Sequence, residues 1–411
     1  MLNPIQTSTF LQQLDSATRE RLHDRLHRTN HLIKTHGIKY FSDAGELLTG
    51  YAYGEFYDWD LYFENIYLSY FGVPNYCRSN LEAFLDRQLP NGFVSRTLNI
   101  VHSRPTDHFK PFLAQIAVLG SRQTGRYNWL IGRYYDRLVK YLDHWSWYKD
   151  HDRNGLAVWQ GAGHSGMDNQ WSRCGEDDAE TNEGVDLNCY LVMEYRALAI
   201  IADQLGKPKD AERFRRREQE IKDAINRYLW HAEDQFYYDR NERTGQLVPV
   251  QSVAAFIPLW AGVASPEQAR ALVERHLTNP DTFWLDYPVA TYSKQEPDYY
   301  QSITGEECNW RGPAWIPTNY MICHGLNNYG FGDLARELAR RSFDMVLGQE
   351  ETREYYNAET GNGEGLFPFW GWSTLAYFMP LELELGYDPT RLDGPVRDIG
   401  REYFGISFDL Y

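Results

Sequence analysis

Long apolar runs are missing from this 411-residue chain. No stretch approaches the roughly 20 residues that a helical membrane span needs, so no spanning segment is expected. Basic charge is also short: 41 Lys and Arg stand against 57 Asp and Glu, a formal −16. Such a chain repels phosphate backbones and anionic lipid, so neither nucleic acid nor a membrane is expected as a partner. Cysteine is sparse, at Cys77, Cys174, Cys189, Cys308 and Cys323, with no Cys-x-x-Cys pair. A zinc site or disulfide framework is therefore not expected, and a reducing cytoplasm fits. Met1 to Arg21 carries no basic stretch followed by an apolar one, so no secretory signal is read there. No Walker, Gly-x-Gly-x-x-Gly or Gly-x-Ser-x-Gly loop stands out. Without a His-x-x-x-His pair, His102, His108, His151 and His164 are expected at the surface or behind a site.

What the chain has in quantity is aromatic residues, 15% of the total, with 13 Trp and 30 Tyr. Hydrophobic residues reach 43%, enough for a large core and against disorder. Helical periodicity dominates. Tyr127, Leu130, Ile131, Tyr134, Tyr135, Leu138, Leu142 and Trp145 follow a three-and-four spacing, and the pattern returns over Leu187–Leu205 and Phe214–Leu229. Ser265, Pro266 and Gln268 read as N-cap, first-turn proline and capping-box partner. Further helices are expected near Pro313–Leu326, Gly332–Leu347 and Trp372–Leu385, and short strands near Phe236–Tyr238 and Gln246–Val250. Loops rich in Gly, Trp, Asp and Asn are expected at 51–65, 150–186, 296–315 and 354–372. No Ser- or Pro-rich linker divides the chain. The length is two to three times a loose prior of about 150 residues per domain, which a helical barrel can absorb. The expectation is one all-α domain over residues 1–411, with its chemistry in the loops.

Two loops carry carboxyl groups beside aromatic residues. Gly161–Arg173 holds Asp168 near Trp159 and Trp171. An acid held against indole faces loses hydration and becomes a usable proton donor. The plainer reading is a turn aspartate. Glu354–Trp372 holds Glu364 between two glycines, ahead of Trp370 and Trp372; the plainer reading is a solvated turn glutamate. Two carboxyl groups across a scissile bond are what glycoside hydrolysis requires. Trp59 and Asp60 pair a stacking face with a hydroxyl acceptor, or else start an aromatic helix with an Asp cap. Arg311, in Asn309–Asn319, offers a fork of donors to a carboxylate or to sugar oxygens, or else a structural ion pair. Asp150, Asp152 and Asn154 resemble the first half of a calcium loop. Position 12 of that loop falls on Gly161 where a glutamate is needed, so only a looser structural calcium site is expected, with no cofactor required.

Together these stretches resemble the (α/α)6-barrel glycoside hydrolases of the family that holds processing α-glucosidase I and the mannosylglycerate and glucosylglycerate hydrolases, with trehalases as relatives. The carriers are Trp59–Asp60, SGMDNQWSR, VDLNCYL, NWRGPAW and YYNAETGNGEG with WGW; each is weak alone, but five in order are specific. The resemblance implies a barrel of six helix pairs and an inverting mechanism. It places the general acid on Asp168 and the general base on Glu364, with Glu359 as a lesser candidate. It implies sugar contacts at Trp59, Asp60, Asn169, Trp310, Arg311 and Trp315, and pocket walls at Trp159, Trp171, Trp370 and Trp372. A Gln-Pro-Pro segment of the family finds only HFKPF here, which puts Lys110 where an aglycone would lie. The implied substrate is a small α-glucoside or α-mannoside, a compatible solute such as glucosylglycerol, glucosylglycerate or mannosylglycerate. The alternatives are a trehalase-like enzyme or α-1,2/α-1,3 oligosaccharide glucosidase, and, from another class, a sugar-binding or sugar-isomerising barrel. Oligomeric state is left open.

Overall fold

The computed structural model describes residues 6–41, 43–50, 56–98, 107–176, 179–302 and 308–408. Six helical segments form an inner ring: Asp58–Ser69, Leu113–Thr124, Val185–Gln204, Val253–Ala261, Ile316–Asn328 and Trp372–Leu385. Each packs on the next, and the last returns to the first. Their composition explains their place. All of Asp58–Ser69 is buried, and in Val185–Gln204 only Arg196, Ile200, Asp203 and Gln204 escape full burial. A helix covered on every side belongs inside.

Six outer helices surround the ring: Ser16–Leu32, Asn75–Asp86, Tyr134–Tyr148, Pro208–Tyr228, Pro266–Leu272 and Gly332–Leu347. These are one-sided. Pro208–Tyr228 buries Ala211, Phe214, Ile221, Ala224 and Ile225 and turns its charged face outward. Outer and inner helices alternate along the chain, which gives the (α/α)6 barrel.

The periodic stretches become helices within a few residues of their expected bounds, except the first: its stripe from Tyr127 makes a short turn at Asn128–Leu130, leaves Ile131 exposed and becomes helical only at Tyr134. Gly332–Leu347 is matched at both ends, and the Ser265–Gln268 capping box has both of its hydrogen bonds. The expected loop at 51–65 is corrected over its described part. Phe56–Tyr57 is a strand, and a helix begins at Asp58, where Asp58 Oδ1 accepts the Trp59 N–H at 2.8 Å. Residues 51–55 and His102 lie outside the described residues. Strands are short. One sheet runs Gln246–Leu247, Arg240–Asn241, Asn182–Glu183, Val158–Trp159 in spatial order, and Tyr355–Tyr356 pairs with Gly363–Glu364. All five cysteines are free thiols. Among the described residues no helix is long and apolar enough to cross a membrane.

Candidate active site

The starts of the inner helices and the loops before them converge on one end of the ring, where a cavity of about 270 Å3 opens. Four tryptophans line it: Trp59, Trp310, Trp315 and Trp372. Trp310 stacks on Trp315 at 3.8 Å between ring centroids and 14° between planes, and Trp315 stacks on Tyr355 at 4.8 Å. The order is fixed by polar pins. Trp315 Nε1 donates to Asn309 O at 2.7 Å, and Trp372 Nε1 donates to Glu354 O at 3.0 Å. Trp310 Nε1 is buried with no protein partner, which leaves a donor for a ligand oxygen.

Among the described residues three carboxyl groups reach this cavity: Asp60, Asp168 and Glu354. Asp60 sits in the first turn of its inner helix. Burial, and then the Asp58 charge, push its carboxyl well above the usual range, against the pull of Lys110. Asp168 sits on a turn built from below. Met167 N–H donates to Ser165 Oγ at 3.0 Å, and Gln170 N–H donates to Met167 O at 2.9 Å. Gly166, at φ +83°, passes so close to Trp59 that a Cβ would lie 3.1 Å from its ring. Beneath the turn, Arg173 pairs with Asp186 and Asp239, all three buried.

Glu354 was not foreseen as a site residue. Its Oε2 accepts the Leu366 N–H at 3.0 Å and its Oε1 lies 3.3 Å from Cys308 Sγ. Glu364, the expected base, is ten positions on and faces elsewhere. In the antiparallel pair Tyr355 stands opposite Glu364, so those two side chains share one face. Glu354, one residue before Tyr355, falls on the other. Glu364 accepts from Ser302 Oγ at 2.7 Å and is not among the described cavity residues. Glu359 is held at the surface by Lys294 at 2.8 Å and Tyr299 at 2.9 Å. The lysine bond, with help from the tyrosine, keeps its carboxyl below the ordinary value. The signal for Glu354 was a carboxylate at the head of the same Trp-rich loop, in phase with the opposite face of the hairpin.

Arg96 was missed as well. It lines the cavity, pairs with Asp107 at 3.2 Å and donates to Gly163 O. Burial alone would ease its proton off, but Asp58, Asp168 and Asp107 hold it on. No motif marked it.

Other expected residues lie behind the cavity or at its rim. Lys110 is fully buried and bonded to both oxygens of Asp58, at 2.9 and 3.1 Å. It sits beneath Gly166 and Trp59 and is not among the described residues that line the cavity. Trp159 is buried and donates from Nε1 to Asp186 at 2.8 Å. Trp370 is buried against Thr49, with Nε1 to O at 3.4 Å. Neither walls the cavity. Asn169 acts through the backbone, accepting the Trp310 N–H at 2.8 Å. Trp171 is 48% exposed, with the Arg311 guanidinium 5.2 Å from its ring centroid and 4.5 Å from that of Tyr300. Arg311 also donates to Tyr300 Oη at 2.8 Å. His108 and His164 are buried rather than surface residues. His164 Nε2 lies 2.7 Å from His108 O.

The calcium reading finds no support. Asp152 is bonded by Arg240 at 3.2 Å, Asn154 donates to Glu183 at 2.6 Å, and Asp150 faces Arg217 at 3.9 Å. Asn154 also donates to Asp152 at 3.2 Å, and among the described residues no group of three or more His, Cys, Asp and Glu could hold a metal. A larger cleft, about 630 Å3, runs along the outer helices Tyr134–Tyr148 and Pro208–Tyr228 and contains Asp150. It holds none of the paired carboxyl groups of the ring.

Comparison with known proteins agrees with this geometry. The family model described as the mannosylglycerate hydrolase MGH1-like glycoside hydrolase domain matches residues 53–374. Mannosylglycerate hydrolase MGH2 of Selaginella moellendorffii is 36% identical over 140 residues, 33% of this chain and 26% of that protein. The mannosylglycerate hydrolase of Rubrobacter radiotolerans is 30% identical over 197 residues, 47% of this chain and 42% of that protein. The aligned stretches thus span less than half of these relatives. The crystal structure of the GH63 mannosylglycerate hydrolase from Thermus thermophilus in complex with glucose superposes with a TM-score of 0.67. It has 22% identity and covers 88% of this chain and 99% of that one, a likeness of fold.

Proposed function

The chain belongs to the mannosylglycerate hydrolase MGH1-like glycoside hydrolase family, and from that premise we propose that it is an inverting α-glycosidase acting on a small α-mannoside or α-glucoside. Mannosylglycerate is the leading substrate, ahead of glucosylglycerate and glucosylglycerol. The observation that carries this reading is that Asp168 and Glu354 line one small cavity walled by indoles. Its volume is at the low end for ligand cavities, which begin near about 300 Å3, and favours a single sugar ring over a polymer.

In this reading Asp168 protonates the glycosidic oxygen and Glu354 takes a proton from the attacking water. Inversion requires their carboxyl groups roughly 6.5–9.5 Å apart, so that the water fits between base and sugar. Glu354 is placed to act as the base: it lines the cavity with Asp168, and the Leu366 N–H and the Cys308 thiol each engage one of its oxygens. Asp60 and the open Trp310 N–H would bind sugar hydroxyls. Arg96 is a fixed positive charge on the wall and suits a carboxylate on the aglycone, as glycerate carries.

The test is proton NMR of the first-formed sugar from mannosylglycerate, glucosylglycerate, glucosylglycerol, kojibiose and trehalose. The β-anomer appearing first from a glycerate glycoside supports the reading. The α-anomer appearing first would refute inversion, and turnover of trehalose alone would move the substrate to a neutral disaccharide. Asp168→Asn and Glu354→Gln should each lower kcat by about 10³-fold or more, whereas Glu364→Gln should stay within about tenfold. The reverse order of the two glutamates would return the base to Glu364.

A further inference from the structure

Cys308 stands apart from the other cysteines. Cys77, Cys174, Cys189 and Cys323 are fully buried, and burial pushes all four thiols up. Cys308 is half-buried and lines the cavity. Its Sγ lies 3.3 Å from Glu354 Oε1, within reach of an S–H···O hydrogen bond.

The rest of Glu354 is already fixed. Its N–H donates to Leu366 O at 3.1 Å, its carbonyl accepts from Trp372 Nε1 at 3.0 Å, and its Oε2 accepts from Leu366 N at 3.0 Å. The Leu366 bond leaves the carboxyl plane to be set by what Oε1 meets. Cys308 comes from a different segment, the one that carries Trp310 and Trp315. The thiol therefore ties the carboxylate to the indole stack that would hold the sugar.

We propose that Cys308 is a positioning residue, whose thiol donates to Glu354 Oε1 and turns that carboxylate toward the attacking water. The inference rests on Glu354 being the base.

The experiment compares Cys308→Ala, Cys308→Ser and Glu354→Gln on the substrate the NMR screen identifies, with thermal melts as folding controls. In Cys308→Ala, kcat should fall about tenfold with KM within about twofold. Cys308→Ser should recover most of the lost kcat, because its hydroxyl still donates. A second arm treats the folded wild type with methyl methanethiosulfonate. The Cys308 thiolate displaces methanesulfinate and becomes a methyl disulfide without its S–H. Activity should be lost, should return with dithiothreitol, and should be untouched by the reagent in Cys308→Ala. A Cys308→Ala enzyme with wild-type kcat, beside an inactive Glu354→Gln, overturns the role of Cys308 and leaves the base in place. An active Glu354→Gln overturns the base and this inference with it.

Discussion

Asn169 Oδ1 accepts the backbone N–H of Trp310 at 2.8 Å, across 141 positions of sequence. Its amide also donates to Asn309 Oδ1 at 3.2 Å. The residue next to Asp168 thus holds the tryptophan wall, and one side chain sets the distance between proposed acid and sugar platform. Asn169→Ala strands the buried Trp310 N–H, at a cost of about 1–3 kcal/mol. The melting temperature should fall, and kcat/KM should drop by about 10–100-fold, because the acid and the wall lose their register. Asn169→Asp keeps the acceptor and should melt closer to wild type. Equal melting temperatures and equal activity in all three proteins would show that the bond holds nothing.

Gly365 has φ +69°, and a Cβ there would sit 2.6 Å from Glu354 Oε2. Both facts demand glycine. Gly365→Ala must move the carboxylate or the hairpin, so kcat should fall by about 100-fold. Replacing Gly206, also at positive φ but with nothing within 4 Å of an added Cβ, supplies the control. Gly206→Ala should cost stability through backbone strain and leave kcat at the wild-type value. The comparison separates crowding at Glu354 from strain as such.

The helices were legible because their signals are local, and the barrel through the family resemblance. Three-and-four stripes such as Phe214, Ile221, Ala224 and Ile225 mark an outer helix, and Gly332–Leu347 carried its own bounds. Asp168, Trp59 and Trp372 were legible from carboxyl groups beside aromatic residues in short stretches, and Trp310 and Trp315 through the resemblance. The proposed base was not. Glu354 and Glu364 share one loop, and only hairpin register, a tertiary property, decides which faces inward. Trp159 and Trp370 misled because an indole reads alike whether it lines a cavity or donates to Asp186 or Thr49 behind it. Arg96 is held by Asp107 and by Gly163 O, 67 positions on, which no spacing reveals.

Lys110 and Asp58 form an ion pair at 2.9 Å with neither side chain exposed. Asp58 also accepts the Lys110 N–H at 2.9 Å and the Trp59 N–H at 2.8 Å, in the first turn of the helix that carries Trp59 and Asp60. Lys110→Met leaves that carboxylate buried and unpaired, a loss of about 3–5 kcal/mol. The expected result is a protein that melts early or is recovered poorly, with any folded fraction showing similar KM for charged and neutral glycosides. A normal melt with a KM raised only for anionic substrates would instead mark Lys110 as an aglycone contact.

Below the cavity, His324 is buried with Nε2 3.0 Å from Glu382 and Nδ1 3.6 Å from Asp388. Glu382 also accepts from Tyr320 at 3.0 Å and from Tyr70. Burial pulls the imidazole down, but Asp388 and Glu382 outweigh it, and the net shift is upward. The folded chain therefore binds this proton more tightly than the unfolded chain, whose histidine titrates near about 6.5. The resulting stability is complete below that value and fades as pH rises through the higher folded one. Glu194 acts with the same sign. Burial raises its carboxyl to about 8, so its cost in stability grows from the ordinary carboxylate range up to that pH. A falling melting temperature above neutrality is thus expected of the whole protein and cannot by itself identify His324. The difference between wild type and His324→Gln can. The variant should lose about 3 kcal/mol or more at pH 6, where a charged partner is removed from two buried carboxylates, and distinctly less at pH 9. Denaturant titrations at both pH values read this directly, and a loss that is the same at pH 6 and pH 9 would mean the imidazole is neutral in the fold.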